Sequence, residues 1–191
     1  MSGERPGQPP FVDGLRGTLL IAGPELWDPN FRRTIVLIGH HDEDGAVGVV
    51  LNRAMEVTVE EAVPPLAELV PSGERLFVGG PVQQDAAVVL ADFERPEGAE
   101  VIAFGSIGFL AGEVDPSEIG SLRRARVFAG YAGWGPGQLE AEIEESSWLV
   151  EPAVPEDVFA PDPDVLWNAV VRRKGPGFHL LLSMPVDPTE N

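Results

Sequence analysis

The segment richest in potential chemistry lies at residues 130–140, where glycine, aromatic, amide and acidic residues occur together as GYAGWGPGQLE. Four glycines fall within the eight residues 130–137. Glycine lets the backbone adopt positive φ and approach another group closely, which suits a ligand-binding loop. The same glycines suit a tight strand-to-helix connection whose aromatic rings fill the core, and both interpretations stay open. The residues considered for binding are Gly130, Tyr131, Gly133, Trp134, Gln138 and Glu140.

The spacing within this segment limits the ligands it could bind. A helix predicted at residues 136–146 would present backbone amides to an anion. However, Glu140 and Glu142 occupy its first turns and would compete with an anionic ligand. The third glycine position of a dinucleotide-binding fingerprint is filled by Gln138, and there is no Walker-type lysine. The segment therefore carries neither of these phosphate-binding motifs.

A second group of candidates stands at the ends of two predicted strands. Asn52 and Arg53 follow one strand, and Gly79, Gly80 and Pro81 follow another. An arginine at a strand end can bind a carboxylate or phosphate in a bidentate manner, and asparagine can hold a backbone segment. The alternative is ordinary turn chemistry, with Arg53 paired to one of the many acidic residues.

The histidine and acidic residues at 40–44 raise the question of a metal site. Successive strand residues point to opposite faces, so His40 and His41 do not favour one ion, and acidic residues are common in hairpin turns. We therefore predict no metal and no cofactor, and keep His40 as a candidate binding residue. His179, alone in an apolar segment, is interpreted as a core histidine. Residues 105–108 lack the G-x-S-x-G elbow, and nothing else predicts a catalytic nucleophile.

The composition excludes several classes of function. The 191 residues include no cysteine, which excludes disulfides, thiolate nucleophiles and thiolate zinc sites. The 13 basic and 31 acidic residues give a formal net charge of −18, which repels phosphate backbones and anionic lipid surfaces. The first residues lack an apolar signal region, and no apolar run approaches the ~18 residues that span a bilayer. We expect no direct nucleic-acid binding, no membrane association and a cytoplasmic location.

Short apolar runs rich in valine and isoleucine alternate with turn signals, which indicates strands. Strands are predicted at 17–22, 34–39, 46–51, 76–78, 86–90, 100–104, 107–112, 126–131, 148–151 and 178–183. Helices are predicted at 58–69, broken or kinked by its two prolines, and at 116–124, 136–146 and 164–173. Helices inserted irregularly among strands indicate the α+β class.

The same pattern predicts the core and the domain organisation. We expect residues 15–184 to form a single domain between flexible tails at 1–14 and 185–191. The β-branched runs and the last apolar segment place seven residues in the core. They are Ile35, Val36, Leu37, Val49, Val50, Val127 and Leu181.

Several separate motifs occur in an order that resembles the YqgE/AlgH family. They lie at residues 28–34, 40–53, 79–82, 130–134, 137–143 and 148–149, and the resemblance runs from about residue 17 to residue 183. It implies an α+β fold with a mixed, mostly antiparallel sheet that includes a small closed barrel and is flanked by helices. It implies less about activity, although one branch of the family is named as a transcriptional regulator of exopolysaccharide synthesis.

Two departures separate this chain from many members of that family. Ala54 follows the Asn52-Arg53 pair where many members have proline. The strand after Gly-Gly-Pro reads DAAVVLA at residues 85–91, without the histidine that many members carry there. If that histidine serves catalysis elsewhere, it is lost here, which weakens any enzymatic interpretation.

We therefore expect a non-enzymatic regulatory or adaptor protein that binds a protein partner or a small ligand. The predicted binding patch combines all the candidate residues named above, and any effect on transcription is expected to act through a partner. The alternative is a hydrolase-like or transferase-like enzyme that uses the same patch, with Arg53, His40 and Glu140 as its candidate groups. A cleft that brings these three side chains to one small substrate would favour the enzyme.

The exposure of the tryptophans distinguishes a binding role of residues 130–140 from a structural one. Trp134 is expected to be partly exposed, because its flanking glycines give it few local packing partners. Trp148 and Trp167 lie in predicted regular elements and are expected in the core. A fully buried Trp134 would favour the structural interpretation of residues 130–140.

Overall fold

A computed structural model describes residues 14–110 and 115–185 of the chain. The described strands are β1 (Thr18–Ala22), β2 (Ile35–Asp42), β3 (Gly45–Val50), β4 (Ala54–Thr58), β5 (Arg75–Val78), β6 (Val82–Phe93), β7 (Val101–Phe104), β8 (Ile107–Leu110), β9 (Leu122–Trp134) and β10 (Trp148–Pro152). The described α-helices are α1 (Val59–Ala62), α2 (Gln138–Glu144), α3 (Pro155–Val158) and α4 (Leu166–Lys174). Short 3-10 helices occupy Pro64–Leu69, Pro96–Gly98, Pro116–Glu118, Pro163–Val165 and Pro176–Ser183. The predicted tails lie outside the described residues, apart from Gly14 and Pro185.

The strands form one mixed sheet in which almost all neighbours are antiparallel. Within the described ranges the strand order is β10-β1-β2-β3-β9-β6-β8-β7, and β4 joins through β5 to β9. The β5–β9 pair is parallel. The path from β10 to β7 is open, so the expectation of a small closed barrel is wrong. The α+β class and the mostly antiparallel sheet are confirmed.

Strand β9 is the centre of this arrangement. Its first part pairs with β6, its last three residues pair with β3, and Phe128 and Ala129 pair with β5. The chain leaving β5 crosses β9 at very close range. A Cβ on Gly79 would lie 2.2 Å from the Gly130 carbonyl oxygen, and one on Gly80 would lie 2.1 Å from the Tyr131 carbonyl oxygen. These glycines are therefore required by backbone contact, whatever ligand the site binds.

The buried side chains cover both faces of the first strands. Leu19 and Leu37 belong to one cluster, whereas their chain neighbours Leu20 and Val36 belong to another. This alternation follows from the two-residue period of a strand. Of the seven predicted core residues, six are at most 1% exposed: Ile35, Val36, Leu37, Val49, Val50 and Val127. Leu181, the seventh, is only partly buried.

Two predicted elements have a different structure. Residues 116–124 contain only a three-residue 3-10 helix before β9 begins at Leu122, because this stretch pairs with the end of β6. Residues 178–183 belong to a 3-10 helix instead of a strand. There Phe178, Leu181 and Leu182 pack on the core at helical spacing, while His179 is exposed, so its prediction as a core histidine is wrong.

The helix predicted at 58–69 is confirmed in its start and in its interruption. Thr58 caps α1, and its hydroxyl accepts a hydrogen bond from the Glu61 backbone amide. The Glu61 carboxylate accepts in return from the Thr58 amide, which completes a capping box. Helix α1 ends at Ala62, and a 3-10 helix begins at Pro64, because proline cannot continue the α-helical hydrogen bonds.

Candidate functional site

The predicted patch is divided among four places in the structure. Asn52, Arg53, Gly80 and Pro81 line two adjoining cavities beside the ends of β2 and β3. His40 and Tyr131 line a separate apolar pocket. Trp134, Gln138 and Glu140 lie around the start of α2, while Gly79 and Gly130 are in the strand crossing described above.

The polar cavity is lined by three arginines, and we call it the arginine cleft. It has a volume of about 280 Å³. Its lining residues are Pro29, Arg32, Arg33, Asn52, Arg53, Asp164 and Trp167. Three arginines thus line one cleft in a chain whose net charge is −18.

Antiparallel pairing brings these arginines together. Strand β2 starts at Ile35 where β3 ends, so residues 32–33 and 52–53 meet at the same edge. The buried Asn52 side chain links the two segments. Its Oδ1 accepts from the Ile35 amide at 2.9 Å, and its Nδ2 donates to the Arg33 carbonyl oxygen at 2.9 Å. Arg33 has a φ of 51°, a left-handed conformation that these bonds help to hold.

Two of the three guanidinium groups, those of Arg33 and Arg53, are held by neutral partners. Arg53 donates to the Arg32 carbonyl oxygen, and Arg33 donates to the Met184 carbonyl oxygen. The Arg33 guanidinium also lies 4.7 Å from the centroid of the Trp167 ring, a cation–π contact. Among the described residues, every carboxylate ion pair involves other cations. Within the described residues, these three positive charges are therefore not neutralised by a direct ion pair, and Asp164 is the carboxylate that lines the cleft with them.

The pKa of Arg53 reflects first its burial and then the charges around it. Burial lowers the pKa of Arg53, and the positive charge of Arg32 lowers the pKa further, whereas Asp164 raises it. A bound anion would oppose both lowering effects, because it would replace lost hydration and offset the repulsion between the arginines.

A second cavity adjoins the arginine cleft, and we call it the side cavity. It measures about 170 Å³ and shares Pro29 and Arg53 with the cleft. Its other lining residues are Asn30, Val50, Val78, Gly80 and Pro81. Candidate residues from both predicted strand ends thus lie together around Arg53.

The apolar pocket lies elsewhere on the sheet. It has a volume of about 180 Å³ and lies between β2–β3 and the strands β6 to β9. Its lining residues are Gly39, His40, Val47, Gly48, Val49, Val88, Val101, Phe109 and Tyr131. The His40 Nε2 is 2.7 Å from an oxygen of Asp42, so this histidine is paired with a carboxylate of its own hairpin. Neither Arg53 nor Glu140 lines this pocket.

Trp134 is a structural residue, and the prediction of partial exposure is wrong. It is 7% exposed and packs against Phe31 and Trp148, with ring centroids 6.3 and 6.0 Å away. Its Nε1 donates to the Glu142 carboxylate at 2.9 Å. The packing partners come from distant segments, so the local glycines did not reveal them. Trp148 and Trp167 are buried as predicted.

Glu142 joins the two buried tryptophans to α2, and we call this arrangement the tryptophan clasp. Its Oε2 accepts from the Nε1 atoms of Trp134 and Trp148, both at 2.9 Å. Its Oε1 accepts from Gln138 Nε2 at 2.9 Å, and Gln138 Oε1 accepts from the Gly135 amide. Gln138 is therefore engaged in holding the helix start.

Glu140 is paired with His41, which the sequence analysis did not select. The His41 Nε2 lies 2.6 Å from the Glu140 Oε1, and its Nδ1 accepts from the Leu15 amide at 2.9 Å. Burial alone would raise the pKa of Glu140, but its own backbone amide and the His41 ring outweigh this and lower the pKa. The alternation of strand residues was the available signal, because it places one of the two histidines inside.

The sequence reasoning missed five lining residues of the cleft as site residues: Pro29, Arg32, Arg33, Asp164 and Trp167. Arg32 and Arg33 stand in the segment DPNFRRT, which contributed to the family resemblance but not to the predicted site. In the described part of the chain, no group of three or more histidine and acidic residues could hold a metal ion. No helix in that part is long and apolar enough to cross a membrane.

Fold and site together define an α+β protein with an open, mostly antiparallel sheet and an arginine-lined cleft where two strands of that sheet meet. The sequence model of the AlgH-like family, DUF179, matches residues 19–179. This chain therefore belongs to the AlgH-like family, and the resemblance identified from its motifs is confirmed.

Bacterial relatives match nearly the whole chain. A UPF0301 protein of Streptomyces avermitilis is 42% identical over 189 residues, which cover 94% of this chain and 97% of the relative. A UPF0301 protein of Mycobacteroides abscessus is 39% identical over 197 residues, with 99% and 94% covered.

Two solved structures share the fold. The crystal structure of a Corynebacterium diphtheriae protein has a TM-score of 0.79 and 31% identity, and the match covers 90% of this chain and 93% of that one. The solution structure of the AlgH protein from Pseudomonas aeruginosa has a TM-score of 0.68 and 30% identity, with 97% and 98% covered.

Proposed function

We propose that this protein is a non-enzymatic regulatory or adaptor protein of the cytoplasm that binds an anionic group in its arginine cleft. The group is a phosphate or carboxylate carried by a small ligand or a protein partner. Any effect on transcription acts through such a partner, because the strongly acidic chain opposes direct contact with a phosphate backbone.

One observation carries the proposal: Arg32, Arg33 and Arg53 line the same cleft, and Asp164 is the one carboxylate residue that lines it with them. Guanidinium groups match the planar geometry of carboxylates and phosphates and form paired hydrogen bonds with them. Asn52 holds the backbone next to these arginines, because its side chain bonds the Ile35 amide and the Arg33 carbonyl oxygen.

The enzyme alternative has less support from the geometry. It requires Arg53, His40 and Glu140 near one substrate. Arg53 lines the arginine cleft, His40 lines the apolar pocket, and the Glu140 carboxylate is bonded to His41. These separate placements favour a binding role for the cleft.

The test is calorimetric titration of the full chain with inorganic phosphate at low ionic strength, where charge interactions are least screened. Arg53→Gln should weaken phosphate binding at least tenfold. Arg53→Lys should weaken it less, because the charge remains while the bidentate fork is lost. Arg16→Gln is the matched control, since Arg16 is an exposed arginine that does not line the cleft, and it should change the affinity less than twofold. Equal phosphate affinity in Arg53→Gln and the parent protein would refute the proposal.

A further inference from the structure

The side cavity differs in chemistry from the arginine cleft, although the two meet at Arg53. Its walls are formed by Pro29, Val50, Val78 and Pro81, together with Gly80. Only Asn30 and Arg53 contribute polar side chains to it. The combined space is therefore cationic at one end and predominantly apolar at the other.

The backbone of the side cavity reinforces its apolar character. The Val50 amide donates to the Gly79 carbonyl oxygen at 2.8 Å, and the Val78 amide donates to the Arg53 carbonyl oxygen at 2.8 Å. The amides of both valines are thus already bonded within the protein, and proline has no amide N–H to offer. A ligand group that enters here finds apolar surface instead of hydrogen-bond donors from these residues.

The volumes suit one ligand that spans both spaces. The cleft and the side cavity measure about 280 and about 170 Å³, and each alone is smaller than the roughly 300–1,000 Å³ usual for a small-molecule site. A cavity of about 150 Å³ accommodates a benzene ring. The side cavity therefore has room for one compact ring or a short branched aliphatic group.

We propose that the two cavities form one site for an amphipathic anion, in which a phosphate or carboxylate binds the arginines and a compact apolar body fills the side cavity. This inference rests on the proposed function of the arginine cleft. The strong negative charge of the whole chain disfavours polyanions, so burial of the apolar body supplies the selectivity among small anions.

The experiment compares two pairs of probes with the full chain: inorganic phosphate with phenyl phosphate, and acetate with phenylacetate. In at least one pair, the aromatic probe should bind at least tenfold more tightly than its simple anion, because the ring is removed from water. Comparison between the pairs shows whether the arginines prefer phosphate or carboxylate.

Two variants test the position of the ring. Val78→Thr changes the polarity of the side cavity at nearly constant volume and should reduce the phenyl phosphate preference at least threefold. Asn30→Trp, at an exposed position on the rim, should fill the cavity and reduce phenyl phosphate binding while inorganic phosphate binds as before. Val47→Thr is the control, because Val47 is 41% exposed and lines the separate apolar pocket.

The outcomes distinguish this inference from the proposed function. Equal affinity of each aromatic probe and its simple anion, with binding still dependent on Arg53, would overturn the amphipathic site and leave the anion site intact. A phenyl phosphate preference that survives both Val78→Thr and Asn30→Trp would also overturn it. Binding of no probe, or binding insensitive to Arg53→Gln, would overturn the proposed function itself.

Discussion

The tryptophan clasp permits a stability prediction that can be worked out from named contacts. Glu142 accepts hydrogen bonds from the indole N–H groups of Trp134 and Trp148, and these two tryptophans are 7% and 1% exposed. Glu142→Ala removes the common acceptor and leaves two largely buried indole N–H groups without their hydrogen-bond partner. The substitution should therefore destabilise the fold without altering either ring.

The magnitude follows from the number and type of bonds. A hydrogen bond to a charged group contributes about 1.5–3 kcal/mol. Glu142 itself is only half-buried, so the lower end of this range applies to each indole bond, and the bond from the exposed Gln138 is replaced by water. We expect Glu142→Ala to lower the free energy of unfolding by about 3 kcal/mol, a large share of the ~5–15 kcal/mol typical of a domain. Glu142→Gln, which can keep the oxygen that both indoles share but loses the charge, should lose about half as much.

The assay is urea unfolding followed by far-ultraviolet circular dichroism, which avoids relying on the fluorescence of the affected tryptophans. Glu144→Ala is the matched control, because Glu144 is an exposed glutamate in the same helix and experiences the same change in helix propensity. If the free energies of unfolding of Glu142→Ala and Glu144→Ala differ by less than about 0.5 kcal/mol, at equal m-value, the reasoning is refuted.

Three further predictions concern packing, pH and nucleic acid. Trp134→Ala should destabilise the protein by about 3–5 kcal/mol, comparable to Trp167→Ala, in urea unfolding; a much smaller effect would mean that Trp134 is not a core residue. Burial would raise the pKa of Asp92, but bonds from Ser106 and Arg123 outweigh it and lower the pKa. Asp92 therefore adds stability that is present above about pH 4 and is lost as the pH falls through its lower folded pKa. The difference in free energy of unfolding between the parent protein and Asp92→Asn should therefore shrink on acidification. A difference of constant size between pH 7 and pH 3 would contradict this. The pure protein should not retain random duplex DNA at physiological salt, and micromolar, salt-sensitive retention would contradict that expectation.

The sequence was sufficient where the signal is local. The β-branched runs of β2, β3 and β9 predicted six deeply buried residues correctly, since a run that is apolar on both faces must be covered on both faces wherever it lies. Thr58 and Glu61 predicted the start of α1, because both partners of a capping box lie within one turn. Asn52 and Arg53 were selected from their position after a strand, which is also a local property.

The remaining features depend on partners far apart in the chain. Residues 122–125 became strand because β6 lies alongside them, and residues 178–183 became helix because their apolar residues pack on the core at helical spacing. Their composition alone permits both structures, so the neighbouring elements decide.

The site shows the same division between local and distant information. Arg32 and Arg33 join Arg53 only after antiparallel pairing brings the start of β2 beside the end of β3. Trp134, chosen for exposure among its glycines, is buried by Phe31 and Trp148 and bonded to Glu142. Side-chain burial and the clustering of charges depend on which surfaces are in contact in the folded protein. Here those contacts are set by the pairing of strands that are distant in sequence.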